Sequence, residues 1–223
     1  MMISPESYYE YELKGKSEDE IITEIRSLKR KISKLKKTLE SPSFCPKVDP
    51  SEDVQLYWTK KYLEKAIQAL NDIGCVYRPT KAELKAQDFD NNIENIKLIE
   101  FVIGSFDSYR PKRVYHFIND RVRCEEDYDG FSFEVEKQDF LAKLRDIHIG
   151  EWNKEYSTER YNIIILDGIQ WELSICYDNS HKPITIYGDN AYPYNFKDLL
   201  WLLGINPSII ADGVEDADET SFD

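Results

Sequence analysis

The chain has 223 residues, 41% of them hydrophobic and 13% aromatic, with 15 Tyr and 10 Phe; this is too apolar for a disordered polymer and long enough for one domain with appendages or two small ones. The net charge of −13 is uneven, since residues 1–50 carry 10 Lys/Arg against 9 Asp/Glu and residues 51–223 carry 19 against 33, so the later part repels phosphate and favours either plain solubility or a basic partner. No stretch approaches a membrane span, the first residues lack the basic start and apolar run of a signal peptide, and Cys45, Cys75, Cys124 and Cys176 form no Cys-x-x-Cys pair, which suggests neither a zinc knuckle nor a disulfide framework and points to reduced thiols in a cytoplasmic protein.

Ser4-Pro5 opens a short helix through Leu13, closed by Gly15, because proline fits a first helical turn and glycine the end of a last one. Ser17 and Glu20 then form a capping box, and Ile21, Ile25, Leu28, Ile32, Leu35 and Leu39 recur at heptad spacing, predicting a helix over 18–40. Pro42 and Pro46 end it before three full heptads, so the seam needs a partner. A helix over 52–73 carries Leu56, Leu63, Ile67 and Leu70 on one face and stops at Gly74. The two helices are expected to pair as a hairpin, with a homodimer through the Ile21 to Leu39 seam as the competing arrangement. On the faces the seam leaves open lie seven cations, Arg26, Lys29, Arg30, Lys31, Lys34, Lys36 and Lys37. They read as a solvated face or as a contact to nucleic acid or to the chain's own acidic surface.

Thr80 and Glu83 form a second capping box, opening a short helix that should end before Asn91-Asn92. The period then shifts to two. Residues 97–103, 113–118, 121–125 and 131–135 read as strands of an antiparallel meander, with turns at Asn119-Asp120 and Asp129-Gly130. A helix beginning near Asp139 carries Phe140, Leu141, Leu144 and Ile147 and ends at Gly150. Strands over 161–166, 169–177 and 184–187 follow, the second alternating apolar Trp171, Leu173, Ile175 and Tyr177 with Gln170, Glu172 and Ser174, as in a sheet with one wet face. A last helix over 195–203, with Asn195 as its cap, stops at Gly204, and residues 212–223 form an acidic tail expected to be mobile. The fold class is therefore α+β: a helical hairpin over 1–78, then a mostly antiparallel sheet domain over 79–211 with two packed helices.

The common catalytic kits are missing: no Gly-rich phosphate loop, no dinucleotide fingerprint, no His-Glu-x-x-His, no Gly-x-Ser-x-Gly. His116, His148 and His181 are too far apart for a local metal motif. Glu125, Glu126, Asp127 and Asp129 precede a glycine turn but lack the ligand spacing of a calcium loop. Glu134 and Glu136, beside Lys137, together with Asp167, are the carboxylates a metal-dependent enzyme acting on nucleic acid or a small substrate would use, although the spacing departs from the usual Asp…Glu-x-Lys pattern. No cofactor and no metal is expected.

The densest aromatic and polar cluster lies in the final third: Trp152 and Tyr156, Gln170 and Trp171, then Asp189, Asn190, Tyr192 and Tyr194. Such side chains either cover the junction of the last helix with the sheet or form a recognition surface for a protein. Asp-Gly-Ile-Gln-Trp-Glu-Leu at 167–173, followed by Tyr-Gly-Asp-Asn-Ala-Tyr-Pro-Tyr-Asn-Phe at 187–196, resembles a pattern recurring in uncharacterised proteins of Gram-positive bacteria and their mobile elements. Pro5-Glu6-Ser7-Tyr8-Tyr9 and Lys14-Gly15-Lys16-Ser17 are similar to the start of some of them. The resemblance implies a bacterial or phage origin and no catalytic residue. The expected function is a non-enzymatic acidic binding protein, in its sharpest form an anti-CRISPR-like inhibitor of a host defence nuclease that competes with nucleic acid. A metal-dependent enzyme and an oligomerisation protein acting through the heptad helix are the alternatives. The partner is expected to be a protein, with no membrane, and with nucleic acid touched only through the basic helix.

Overall fold

A computed structural model describes residues 2–46, 48–105, 112–124, 131–163 and 168–210. The chain divides into two compact units, residues 1–79 and residues 80 onward. The expected acidic loop at 125–130, Asp167 and the acidic tail lie outside the described residues.

In the first unit, α1 (Pro5–Tyr8) is capped by the Ser4 hydroxyl, which accepts from the Ser7 amide at 3.1 Å, and it widens into a π-helical turn over Tyr9–Leu13. Next comes α2 (Glu18–Leu39), where the Glu20 carboxylate accepts from the Ser17 amide at 2.8 Å and from its hydroxyl at 2.7 Å. The heptad seam is covered within the chain. Ile21, Ile25, Leu28 and Leu35 are buried, Ile32 and Leu39 half-buried, and α3 (Glu52–Asp72) supplies the opposing surface. The expected face is present but shifted: Leu56 and Leu70 are buried, together with Thr59, Tyr62, Ala66 and Ala69, whereas Leu63 and Ile67 pack half-buried at its flank. The buried positions 59, 62, 66 and 69 recur at spacings of three and four and so lie on one face of the helix, and the two alanines mark its contact line. The segment before α1 is tied to the hairpin, because the Tyr62 hydroxyl donates to the Ile3 carbonyl at 2.7 Å and accepts from the Ile3 amide at 3.0 Å. Tyr8 stacks on Tyr62 at 4.3 Å and donates to Glu24; burial and that carboxylate push its phenol well above its ordinary range.

The second unit opens with α4 (Lys81–Asn92), whose capping box has Glu83 accepting from the Thr80 amide at 2.7 Å and hydroxyl at 2.8 Å. The helix runs through Asn91-Asn92 rather than stopping before them, with the Asn92 side-chain amide donating back to the Asp88 carbonyl at 2.8 Å. Then follow β1 (Ile96–Ser105), β2 (Lys112–Ile118), β3 (Arg121–Cys124), β4 (Phe133–Glu136), α5 (Lys137–Asp146), β5 (Glu155–Ser157), β6 (Ile169–Tyr177), β7 (Ile184–Asp189) and α6 (Phe196–Leu202). Among the described residues, seven strands form one sheet in the order β4-β3-β2-β1-β6-β7-β5. β1 to β4 make the expected meander, while β6 returns to the other side of β1 and β5 joins the far edge parallel to β7. The expected strand over 161–166 is not formed at Tyr161, which ends a 3-10 turn (Thr158–Tyr161), with Asn162 left-handed at φ 58°.

Alternation decides which sheet face is dry. Ile99, Phe101, Ile103, Tyr115, Val122, Leu173, Ile175 and Ile186 point into one core with Phe140, Leu141 and Leu144 of α5 and Phe196, Leu199 and Leu200 of α6. Within it the Tyr115 hydroxyl donates to the Leu203 carbonyl at 2.7 Å. The other face carries Glu100, Val102, Glu172, Ser174 and Tyr187, exposed or half-exposed. No helix among the described residues is long and apolar enough to cross a membrane.

Candidate binding groove

Cross-strand register builds rows on the wet face. Glu155, Tyr187, Glu172 and Val102 stand in one row across β5, β7, β6 and β1, and Ser157, Asp189, Gln170 and Gly104 stand in the next. With Glu159 from the following turn, these rows line a groove of about 930 Å³ whose lining includes four carboxylates, Glu155, Glu159, Glu172 and Asp189, and, among the described residues, no Lys or Arg. The Tyr187 phenol bonds to Glu155, which raises it above its ordinary value. Lys112, opposite Val102, pairs with Glu100 at 2.6 Å, and the Arg160 guanidinium lies 5.6 Å from the Tyr156 ring centre. Sites for small organic ligands are typically enclosed and mostly apolar. This groove is open, and carboxylates over a low-dielectric sheet concentrate negative field where a lysine- or arginine-rich surface could enter.

Beneath the groove the rings form structure. Trp152, Tyr156 and Trp171 are each at most 2% exposed, and their polar atoms are satisfied inside: Trp171 Nε1 donates to the Ala191 carbonyl at 2.9 Å, Trp152 Nε1 to Asn195 Oδ1 at 3.0 Å, and the Tyr156 hydroxyl accepts from the Asn153 amide at 3.0 Å. Trp171 packs on Phe196 at 4.6 Å and edge-on to Trp152 at 6.3 Å. These three rings are the floor and the core, not an exposed recognition surface. Asn195 precedes α6, but its side chain makes no capping bond; it accepts from Trp152 and donates to the Ile147 carbonyl instead. Asn190, left-handed at φ 50°, accepts from the Ile169 amide at 2.8 Å and so fastens the end of β7 to β6. Tyr192 leans half-buried on Phe196 at 5.0 Å, and burial raises its phenol. The Tyr194 hydroxyl reaches Glu151 at 3.5 Å. Of the residues singled out from sequence as binding candidates, Gln170 and Asp189 therefore line the groove by side chain; Glu172, read only as facing the wet side, and Tyr187, read only within the 187–196 run, join them, and Glu155 and Glu159 join unforeseen.

Gly188 shows how tightly floor and rim are fitted. A Cβ there would sit 2.2 Å from Trp171 Nε1 and 2.7 Å from the Ala191 carbonyl oxygen, and neither can yield because they are bonded to each other. Gly188→Ala should therefore lose about 1–3 kcal/mol or more, read as a lowered thermal midpoint, whereas an unchanged midpoint would show that the ring is not held there.

The other candidates lie apart from the groove. Glu134 pairs with Arg123 at 3.0 Å and Glu136 with Arg121 at 3.3 Å, each opposite its arginine in the β3–β4 register, so both serve a charged sheet edge. His181 is held on both ring nitrogens, by Asp88 at 2.8 Å and the Lys182 carbonyl at 3.0 Å. His116 sits half-buried on β2 and His148 is left-handed at φ 53° after α5. Among the described residues no group of three or more His, Cys, Asp or Glu is placed to hold a metal ion. A second hollow of about 290 Å³ lies beside Lys143, Asp146, Asp198 and the 66%-exposed Trp201, where burial raises the Asp198 carboxyl. Compared with protein-family models, curated proteins and solved structures, the chain matches none.

Proposed function

We propose that this chain is a non-enzymatic binding protein whose acidic groove takes a basic surface on a partner protein. The observation that carries the reading is the set of Glu155, Glu159, Glu172 and Asp189 around one open groove, with no Lys or Arg among the described residues that line it. Complementary charge of this kind raises the rate of encounter and selects partners by sign. Proteins that hold nucleic acid present such basic surfaces, and an acidic competitor occupies the place of phosphates.

In its finer form the chain is an inhibitor from a bacterial mobile element that occupies the nucleic-acid channel of a defence nuclease of the CRISPR type. The net charge of −14 over residues 51–223 and the resemblance of residues 167–173 and 187–196 to mobile-element proteins support it. Titrating a purified RNA-guided nuclease with the full chain tests this form. Binding at low salt, weakened by high salt and displaced by target DNA, is expected; no binding at low salt removes the nuclease from consideration.

A further inference from the structure

We propose that the outward face of α2 holds the phosphate backbone of nucleic acid. This surface belongs to the first unit, has the opposite charge to the groove, and does not depend on the groove's role.

Burial of Ile21, Ile25, Leu28 and Leu35 fixes the helix rotation and leaves Arg26, Arg30, Lys31 and Lys34 exposed. Arg26, Arg30 and Lys34 follow one another at spacings of four, so they span about 12 Å of helix, a length over which one nucleic-acid strand presents about three to four phosphates. The exposed hydroxyls of Ser27 and Ser33 lie among them, and such groups commonly donate to phosphate oxygens. Lys29 is committed elsewhere, donating to the Tyr77 hydroxyl and lying 4.8 Å from that ring's centre.

Helix stability does not account for the stripe. Cations favour the last turn of a helix, which explains Lys36 and Lys37, but Arg26 and Arg30 lie further from that end than the dipole's influence extends. From Ile25 to Leu39 there is no Asp or Glu, so the stripe has no carboxylate of its own helix within i,i+4 reach, and its like charges at that spacing repel. An external polyanion supplies the missing opposite charge. Phosphates fit better than a carboxylate-rich protein, because two of the four cations are arginines, whose planar guanidinium groups bind phosphate through paired hydrogen bonds.

The test is fluorescence anisotropy of labelled duplex DNA and duplex RNA with the full chain across a salt series. Binding of either is expected, with a log–log salt slope of about −3.6 if four phosphates are neutralised. The combined variant Arg26→Gln, Arg30→Gln, Lys31→Gln, Lys34→Gln should weaken binding about tenfold or more at low salt and flatten the slope, with its circular dichroism unchanged and its melting equal or slightly raised as the repulsion is relieved. Neutralising the groove by Glu155→Gln, Glu159→Gln, Glu172→Gln and Asp189→Asn should leave nucleic-acid binding equal or stronger, which separates this proposal from the groove's function. The proposal is overturned if neither duplex binds at low salt, if the four-cation variant binds as the wild type does, or if polyglutamate competes as well per charge as nucleic acid.

Discussion

Trp171→Ala is expected to destabilise the sheet unit by about 3–5 kcal/mol, the range for truncating a large aromatic in a packed interior. Trp171 is 2% exposed and packs on Phe196, Tyr156 and Trp152. Its indole N–H satisfies the Ala191 carbonyl, so the truncation also leaves that acceptor without its partner, a loss in the unfavourable direction. Set against a typical domain stability of about 5–15 kcal/mol, this is enough to unfold a marginal unit. Denaturant unfolding followed by far-ultraviolet circular dichroism measures it. Trp171→Phe keeps a ring and loses the N–H, and should fall between the alanine variant and the wild type. A Trp171→Ala loss below about 1 kcal/mol would be too small for a packed core tryptophan and would contradict its place beneath the groove.

Leu28→Asp is the second large effect, and it falls in the other unit. Leu28 is 6% exposed in the seam between α2 and α3. Replacing it loses the roughly 2–5 kcal/mol of a core leucine truncation and adds the cost of burying a carboxylate without a partner. Helical signal should fall, and the loss should not depend on protein concentration, because the seam is closed within one chain. A transition midpoint that rises with wild-type concentration would instead show that a second copy completes the seam.

Much of this was legible in sequence where local chemistry and burial agree. Ser17 with Glu20 and Thr80 with Glu83 are capping boxes in the structure, and the alternation from Ile169 to Tyr177 predicts both the strand and its dry face. The α3 contact face was read in part: Leu56 and Leu70 are buried as expected, but Ala66 and Ala69, which carry less hydrophobic weight than Leu63 and Ile67, are buried where those two lie at the flank. β5 was missed for a different reason. Three residues, Glu155–Ser157, form a strand only because β7 offers them an edge through a non-local parallel pairing, and no local periodicity records that.

The candidate site was legible only in part for the same reason. Gln170 and Asp189 stood out beside aromatic neighbours, and Glu172 was already placed on the wet side of its strand. Glu155 and Glu159 flank Tyr156 in a stretch with no helical or strand pattern; the β5–β7 register brings Glu155 to the groove and the turn after β5 brings Glu159. The aromatic cluster read either as cover for the junction of the last helix with the sheet or as a surface, because the same apolar area that makes Trp and Tyr good interface anchors makes them good core residues. Trp152, Tyr156 and Trp171 went to the core, and their acidic neighbours remained at the surface.

The two charged faces differ in chemistry, with carboxylates on the sheet and guanidinium and ammonium groups on α2. The central claim is that the groove carboxylates select a basic protein partner. It is tested most directly by parallel affinity capture from native bacterial and phage-infected lysates, using the wild-type chain and the Glu155→Gln, Glu159→Gln, Glu172→Gln, Asp189→Asn variant, with nuclease treatment to remove bridging nucleic acid. The result expected is a basic, nucleic-acid-handling protein retained by the wild type in a salt-sensitive way and lost by the variant. Retention of the same proteins by both chains, or of none by the wild type, would contradict it.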